Sequence, residues 1–326
     1  MDRRKVLCGV TAALAFGRSL SAQEKYPSRA VRIVVQYPPG GVTDLAARAV
    51  SEVMHRKYGQ SVFVEHKPGA SGLIGQQYVA GSRPDGYTLI TGGLGGNVIP
   101  PVTVEGLPLD IVKALTPVAQ VAEFVNVLVV RRDHPAKSLS GFISQAKGNR
   151  PMPYGTNGVG SSAHLTSEFF AMRTGLRLEP VPYKGSRELL VDVANGAVEF
   201  TFANLPAVVS LLQDGRLRAL AVTSSYRSKH LRDVPTMQEA GVADFEVTSW
   251  LGIYAPSATP SAIVWQLGRD IAEGLAAPER RQRLEAAGFE ARPLDSEGFE
   301  RVNREELRKW SSIARDLGIK LKFGEN

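Results

Sequence analysis

Short apolar runs alternate with glycine-containing turns and with helix-spaced apolar positions along most of this sequence. The first unit combines a β-branched run at 31–35, a glycine turn and a helical pattern that ends at Tyr58-Gly59. Similar units follow at 62–80, at 87–97 and then repeatedly between 125 and 222. This alternation is typical of α/β proteins and predicts a mainly parallel sheet covered by helices on both faces.

The pattern changes after Trp250, where one more predicted strand is followed by helices without an obvious sheet of their own. The predicted helices cover 261–276, 279–287 and 296–317. We therefore expect this tail to return and pack on the first unit, which gives two α/β lobes joined by two crossings, with a hinge and a cleft. The first lobe is expected to contain residues 23–125 and 251–326, and the second lobe residues 126–250.

The first 22 residues have the pattern of an export signal. Three basic residues, Arg3-Arg4-Lys5, precede an apolar run at 6–16 and small residues that end at Ser21-Ala22. The apolar run is too short for a membrane span, which needs about 20 residues. We predict a signal peptide at 1–22, cleavage near Ala22 and a mature protein in the periplasm. The Arg3-Arg4 pair leaves both general secretion and twin-arginine export open.

Composition and charge exclude several classes of function. The only cysteine, Cys8, lies in the export signal, so the mature chain has no disulfide and no cysteine-ligated metal. The five histidines lack metal-binding spacing, and we expect neither a metal nor a cofactor. The formal charge of +7 falls to +4 without the export signal, and the remainder has no basic run longer than two residues. Nucleic acid is therefore not an expected partner.

The segment 38–44, between the first predicted strand and helix, is the first candidate binding site. Gly40 and Gly41 permit a positive φ and close approach of a ligand. The free N–H groups of the helix N-terminus favour an anion there. The alternative is an ordinary helix start, at which Thr43 or Asp44 satisfies these N–H groups without a ligand.

The segment 155–164 is the second candidate, again a glycine-rich loop between a strand and a helix. The run 158–163 matches a dinucleotide fingerprint with Glu179 as the ribose-binding acid, but exported proteins are not normally supplied with nicotinamide cofactors. Ser161 and His164 leave an exported hydrolase open, although the sequence has no nucleophile elbow. A capping role for the serines is the plain structural alternative.

Two further features bear on the ligand. Asn204 follows a predicted strand and Tyr183 lies in a short loop, so each side chain either faces a cleft or only completes a turn. The glycines at 92–96 predict a far end of the cleft that is roomy and poor in side-chain donors. The second end of the ligand then need not be a carboxylate, because a buried carboxylate without donors is costly.

A series of motifs, in order along residues 23–326, resembles the Bug receptors, the extracytoplasmic solute-binding proteins of tripartite tricarboxylate transporters. The motifs are Tyr26-Pro27, 37–41 with Asp44, 65–75 (EHKPGASGLIG), 84–89, 154–165, 181–185, 217–223, 234–236 with 239–241, and Trp250. The sequence departs from the family at Val42, where a small residue is usual, and in the glycine-rich run 92–96. These departures put a standard C4 or C5 dicarboxylate in doubt.

The resemblance implies a two-lobed periplasmic binding protein fold that holds a small carboxylate between the loops at Gly40-Gly41 and at 160–164. The expected role is transport rather than catalysis, in a monomer that delivers ligand to integral-membrane transporter subunits or signals to a membrane sensor. The predicted ligand-binding residues are Tyr37, Gly40, Gly41, Asp44, Thr91, Asn97, Thr156, Gly160, Ser161, Ser162, His164, Tyr183, Asn204 and Trp250.

Overall fold

The computed structural model describes residues 26–148, 150–158, 161–316 and 318–323 of the 326-residue chain. The predicted signal peptide at 1–22 and the predicted site residue Gly160 lie outside the described residues. The strands are β1 Val31–Val35, β2 Val62–His66, β3 Thr88–Gly93, β4 Val104–Glu105, β5 Leu115–Arg131, β6 Met152–Thr156, β7 Leu178–Pro182, β8 Thr201–Asn204, β9 Leu217–Val222, β10 Thr248–Pro256 and β11 Leu321–Lys322.

The helices connect these strands and cover their faces. They are α1 Val42–Tyr58, α2 Leu73–Ala80, α3 Ile99–Thr103, α4 Ile111–Ala114, α5 Leu139–Ala146, α6 Ser162–Thr174, α7 Ser186–Asn195, α8 Leu205–Gln213, α9 Ser261–Ala276, α10 Pro278–Ala286 and α11 Ser296–Asp316. No helix within the described ranges is long and apolar enough to cross a membrane.

One sheet runs through both halves of the molecule. Its strand order is β2-β1-β3-β10-β5-β8, and β9 also pairs with β5. The strands β1, β2 and β3 are parallel, whereas β10 is antiparallel to β3 and β5, and β5 is antiparallel to β8 and β9. The prediction of a mainly parallel sheet was therefore wrong, because two central strands run against their neighbours. The separate pair β6-β7 is parallel.

The strand β5 belongs to both lobes. The sequence pattern predicts a strand that begins at 125, but the structure has one strand of 17 residues. It pairs with β10 as far as Val125 and with β8 and β9 from Asn126 onward. At this change of partner, the Asn126 side chain donates to Ser249 Oγ at 3.1 Å. The two lobes are thus joined by a continuous strand with β10 beside it.

Each lobe has a packed apolar interior. In the first lobe, α1 and α9 lie on the sheet with Val50, Val53 and Leu267 fully or almost fully buried. In the second lobe, Phe170, Phe200, Phe202 and Phe245 form ring contacts with centroids 5.6 to 6.3 Å apart. Burying each large apolar side chain stabilises the fold by about 1.5–3 kcal/mol.

The C-terminal tail packs on the first lobe, as the pattern of its helices predicts. A Cβ at Gly274 of α9 would lie 2.2 Å from Val53 of α1, so the two helices are in close contact. The tail also contains the short strand β11, which pairs in parallel with β4. The tail was predicted to have no obvious sheet of its own, and its two-residue strand pairs only with β4, which lies outside the tail.

Candidate ligand-binding site

A cavity of about 610 Å³ lies where loops of the two lobes face each other. Its walls come from the loops after β1 and β3, from the starts of α6, α7 and α8, and from β10. Lys184, Arg187 and Arg216 line this cavity, and its described lining includes no Asp, Glu or His. The cavity therefore attracts anions.

The loop before α1 presents main-chain N–H groups to this cavity. Gly40 has a φ of 84°, while Gly41 has a φ of −85° and is the N-cap residue of α1 without a side-chain cap. The N–H groups of Gly41, Val42 and Thr43 make no hydrogen bond within the described chain. These groups, at the positive end of the helix dipole, are available to a ligand anion.

Asp44 holds this loop from behind and does not line the cavity. Its Oδ2 accepts from the Gly40 N–H and from Arg48 Nε, each at 3.1 Å, and its Oδ1 lies 2.9 Å from His66 Nε2. Burial raises the pKa of Asp44, but the hydrogen bonds from Arg48, Gly40 and His66 outweigh it and hold that pKa below its usual value. Because the Gly40 N–H donates to this carboxylate, it is not available to a ligand.

The loop before α6 is arranged in a similar way. Ser161 caps the helix, with its Oγ accepting from the His164 N–H at 3.3 Å and lying 2.8 Å from Thr156 Oγ1. The N–H groups of Ser162 and Ala163 find no acceptor among the described residues. Both Ser161 and Ser162 line the cavity, so a second helix N-terminus points at the same space.

His164 and Thr156 lie behind that lining. His164 is 6% exposed, and burial lowers the pKa of its imidazole from the usual 6.5. Thr156 is fully buried and also donates to the Gly158 carbonyl at 3.1 Å. Both residues therefore support the loop and do not offer side chains to the cavity.

Two buried N–H donors in the cavity wall lack a partner among the described residues. Gln36 directly follows β1, and its Oε1 accepts from Thr91 Oγ1 at 2.8 Å, whereas its Nε2 has no hydrogen bond to any described residue. Trp250 Nε1 is buried and likewise has no hydrogen bond within the described part of the chain. Both residues line the cavity. A buried unpaired donor costs about 1–3 kcal/mol, so an acceptor oxygen on a ligand would stabilise this wall.

The remaining predicted residues also form two groups, those that line the cavity and those that do not. Tyr37 lines the cavity and donates to the Ser71 carbonyl at 3.3 Å, and burial raises its pKa to about 12. Asn204 lines the cavity, and its side chain does not cap α8. Asn97 accepts from the Gly93 N–H at 3.1 Å, and Tyr183 donates to Asp192 at 2.7 Å.

The structure therefore brings about half of the predicted residues to one cavity. The residues that line it are Tyr37, Gly40, Gly41, Ser161, Ser162, Asn204 and Trp250. The described residues that lie outside the lining are Asp44, Thr91, Asn97, Thr156, His164 and Tyr183. Sequence reasoning missed Gln36, although a polar residue at the carboxyl end of a buried strand is a usual signal of a site. No group of three or more side chains suited to a metal is found in the described part of the chain.

The expectation of a donor-poor far end was wrong. Gly93, Gly95 and Gly96 do line the cavity, but a Cβ at Gly95 would lie 3.2 Å from the Ser162 nitrogen of the other lobe. Gly95 therefore permits close approach of the lobes. The wall of the second lobe is formed instead by α7, α8 and the segments beside them, and it carries Arg187 and the other two cations.

Comparison with protein families and relatives agrees with this geometry. A family profile described as "Tripartite tricarboxylate transporter family receptor" matches residues 46–319. Protein BugT of Bordetella pertussis is 34% identical over 328 residues, with 99% of each chain covered.

Solved structures are similar over nearly the whole chain. Rpa4515 of Rhodopseudomonas palustris, with adipate, is 36% identical with a TM-score of 0.86, covering 91% of this chain and 99% of its own. MatC from the same organism, with bound malate, is 30% identical with a TM-score of 0.83, covering 89% of this chain and 100% of its own. Both structures hold a small dicarboxylate.

Proposed function

This chain belongs to the tripartite tricarboxylate transporter receptor family, and from that membership we propose that it captures a small carboxylate between its lobes for delivery to transporter subunits in the membrane. The observation that carries this proposal is the cavity of about 610 Å³ lined by three cations and no described acid. Such a lining favours an anion over a neutral or cationic solute, because a cleft lined by charges of one sign raises the local concentration of solutes of the opposite sign.

The carboxylate would bind where the N-termini of α1 and α6 converge. The free N–H groups of Gly41 and Ser162 and their neighbours supply donors from two lobes. Gln36 Nε2 and Trp250 Nε1 supply two side-chain donors that have no partner in the described residues. Charge-assisted hydrogen bonds of this kind are about twice as strong as neutral ones, so a carboxylate would bind better than an amide.

Capture would involve both lobes because the donors come from both. We place the crossings between them at 125/126 and 250/251, where β5 changes partner and β10 runs alongside. A ligand that bridges the lobes binds the closed form more tightly than the open form and shifts the population toward it. We propose that the monomer, exported with cleavage near Ala22, presents this closed form to its transporter or to a membrane sensor.

The role proposed here is binding without catalysis. Ser161 Oγ, the nucleophile of the alternative hydrolase reading, is engaged with Thr156 and with the His164 main-chain N–H, which is a capping arrangement. We expect Ser161→Ala to retain carboxylate binding and the unmodified protein to show no turnover of ester substrates. Ester hydrolysis that is lost in Ser161→Ala would support an enzyme instead.

A thermal-shift screen of carboxylates and their amides tests the proposal. A ligand at 100 times its dissociation constant should stabilise the protein by about 2.7 kcal/mol. We expect one or more small carboxylates to raise the melting temperature and the matching neutral amides to leave it unchanged. If no carboxylate, or carboxylates and amides alike, shift the transition, the proposed function is wrong.

A further inference from the structure

The last turn of α10 and the loop after it, residues 285–292, lie between the two lobes, and we call them the clasp segment. On the first lobe, the main-chain N–H and carbonyl of Glu290 pair with those of Glu123 in β5, at 2.8 and 3.0 Å. On the second lobe, a Cβ at Gly288 would lie 3.1 Å from the Cα of Pro206, at the start of α8. The clasp segment therefore contacts both lobes.

Lys229 of the second lobe forms ion pairs with two acids of the clasp segment. Its Nζ lies 2.9 Å from Glu285 Oε1 and 3.4 Å from Glu290 Oε2. The hydrogen bond from Lys229 is the main reason that the pKa of Glu285 lies below its usual value. With the crossings proposed at 125/126 and 250/251, every other ion pair between described residues lies within one lobe. In the described part of the chain, Lys229 thus joins the lobes by charge.

Tyr226 of the second lobe faces the same segment. The Arg292 guanidinium carbon lies 5.8 Å from the centroid of its ring. Burial raises the pKa of the Tyr226 hydroxyl, and the negative charge of Glu290 raises it further. That hydroxyl is buried without a hydrogen bond to any described residue, which is unfavourable, and it would regain water if the lobes moved apart. The contact is therefore balanced, because charge attraction favours it and desolvation opposes it.

The charged groups of this contact do not touch the cavity, although the contact reaches the cavity wall. Lys229, Glu285 and Glu290 are absent from the lining, whereas Pro206, which the clasp segment contacts, belongs to it. The contact thus fixes where the start of α8 lies relative to the first lobe. An effect of Lys229 on ligand binding must therefore act through the orientation of the lobes.

We propose that Lys229 is a positioning residue, whose ion pairs with the clasp segment hold the lobes in the orientation in which the N-termini of α1 and α6 converge. The ion pairs bias the protein toward this orientation before a ligand arrives, so less of the binding energy is used for closure. Salt screens exposed ion pairs, so the bias weakens as ionic strength rises. This inference rests on the proposed function, because it takes the converged orientation to be the one that captures a carboxylate.

Small-angle scattering without ligand and calorimetry with adipate, which is bound in a similar solved structure, test this inference. Lys229→Met removes the charge and keeps a chain of similar length. At low salt it should have a larger radius of gyration than the unmodified protein and should bind adipate about threefold more weakly. Lys229→Arg keeps the charge and should restore both values. At about 1 M salt, where the screening length is about 3 Å, the difference in radius should disappear.

Lys137→Met is the matched control, because Lys137 is an exposed lysine of the second lobe without an ion pair to any described residue, and it does not line the cavity. It should change neither radius nor affinity. An unchanged radius and affinity in Lys229→Met, even with a lower melting temperature, would overturn the inference, as would equal changes in Lys137→Met or no recovery in Lys229→Arg. If no carboxylate binds, the proposed function is wrong, and the radius without ligand still decides whether Lys229 orients the lobes.

Discussion

Two adjacent glycines in the loop before α1 differ in backbone conformation and in the space around them. Gly40 has a φ of 84°, in the left-handed region, whereas Gly41 has a φ of −85° and its nearest heavy atom to an added Cβ is 3.9 Å away. The sequence indicated a positive φ somewhere in this pair, but it could not assign it to one residue. In the structure, a substitution at Gly40 would strain the backbone, whereas a substitution at Gly41 would take up space for the ligand.

The two glycines therefore respond differently to substitution. Gly41→Val places a branched side chain in the cavity. With adipate, the ligand in the similar Rpa4515 structure, as the carboxylate probe, we expect affinity to fall at least about tenfold with little change in melting temperature. Gly40→Ala forces a left-handed backbone on a residue with a Cβ and should lower the unfolding free energy by about 1–2 kcal/mol. Calorimetry and urea unfolding of both variants measure these effects. Unchanged adipate binding in folded Gly41→Val protein would remove this loop from the site.

Asp44 gives a second prediction at the residue scale. Asp44→Asn removes the charge that binds Arg48, His66 and the Gly40 N–H, and should cost about 1.5–3 kcal/mol of unfolding free energy at pH 7. Because folding lowers the pKa of Asp44 below 3.8, its contribution is complete above that pH and is lost as the pH falls through the folded value.

Urea unfolding of both proteins between pH 7 and pH 3 measures this contribution. The difference in stability between the unmodified protein and Asp44→Asn should shrink toward pH 3. Asp233→Asn, a change at an exposed carboxylate, should have little effect at any of these pH values. A difference for Asp44→Asn that stays constant with pH would mean that the carboxylate charge does not hold the loop.

How much of the site the sequence predicts depends on whether a residue contributes backbone or side chain. A glycine turn before a helix marks main-chain donors directly, and Gly41 and Ser162 do line the cavity. A polar side chain beside such a loop can point into the cavity or away from it, and the sequence does not distinguish these orientations. Asp44 points inward and accepts from the Gly40 N–H of the loop, and Thr91 points inward and donates to Gln36. Gln36 itself has a side-chain donor, Nε2, without a partner among the described residues.

At the scale of elements, the α6 N-terminus lies directly against the loop after β3. A Cβ at Gly95 would be 3.2 Å from the Ser162 nitrogen and 3.7 Å from its Cβ. Gly95→Val should therefore push α6 and its lobe away. We expect at least about tenfold weaker adipate binding and a larger radius of gyration at saturating adipate, measured by calorimetry and small-angle scattering.

Gly148→Val is the matched control for Gly95→Val, because Gly148 is exposed and an added Cβ there meets nothing within 4 Å. It should change neither adipate affinity nor the radius of gyration. If Gly95→Val also binds adipate normally with an unchanged radius, close contact between these two elements is not needed for binding.

Elements were predicted best where each strand has its own turn and helix. The unit from β1 to α1 was predicted with nearly its observed bounds, because its apolar period and its glycines agree. β5 was predicted to begin at 125 but begins at Leu115, because nothing local shows that one strand continues from lobe to lobe. The direction of β10 also depends on tertiary pairing, so the mixed sheet could not be predicted from local pattern.

At the scale of the whole molecule, the resemblance of motifs in series predicted more than any single element. Family membership, the two-lobed fold and the receptor function are confirmed by the profile match and by relatives similar over nearly the full length. The division into lobes at 125/126 and 250/251 and the site residues stay predictions. The far wall of the cavity was beyond sequence reasoning, because it is assembled from α7 and α8 only when the second lobe folds.

A crystal structure of the purified protein with adipate tests the central claim most directly. We predict the ligand in the cavity of about 610 Å³, with one carboxylate within hydrogen-bond distance of the N–H groups at Gly41 to Thr43 and of Gln36 Nε2 or Trp250 Nε1. The Ser162 N–H of the second lobe should approach the same carboxylate. Adipate bound elsewhere, or a cavity without ligand in a protein that binds adipate in solution, would contradict the account.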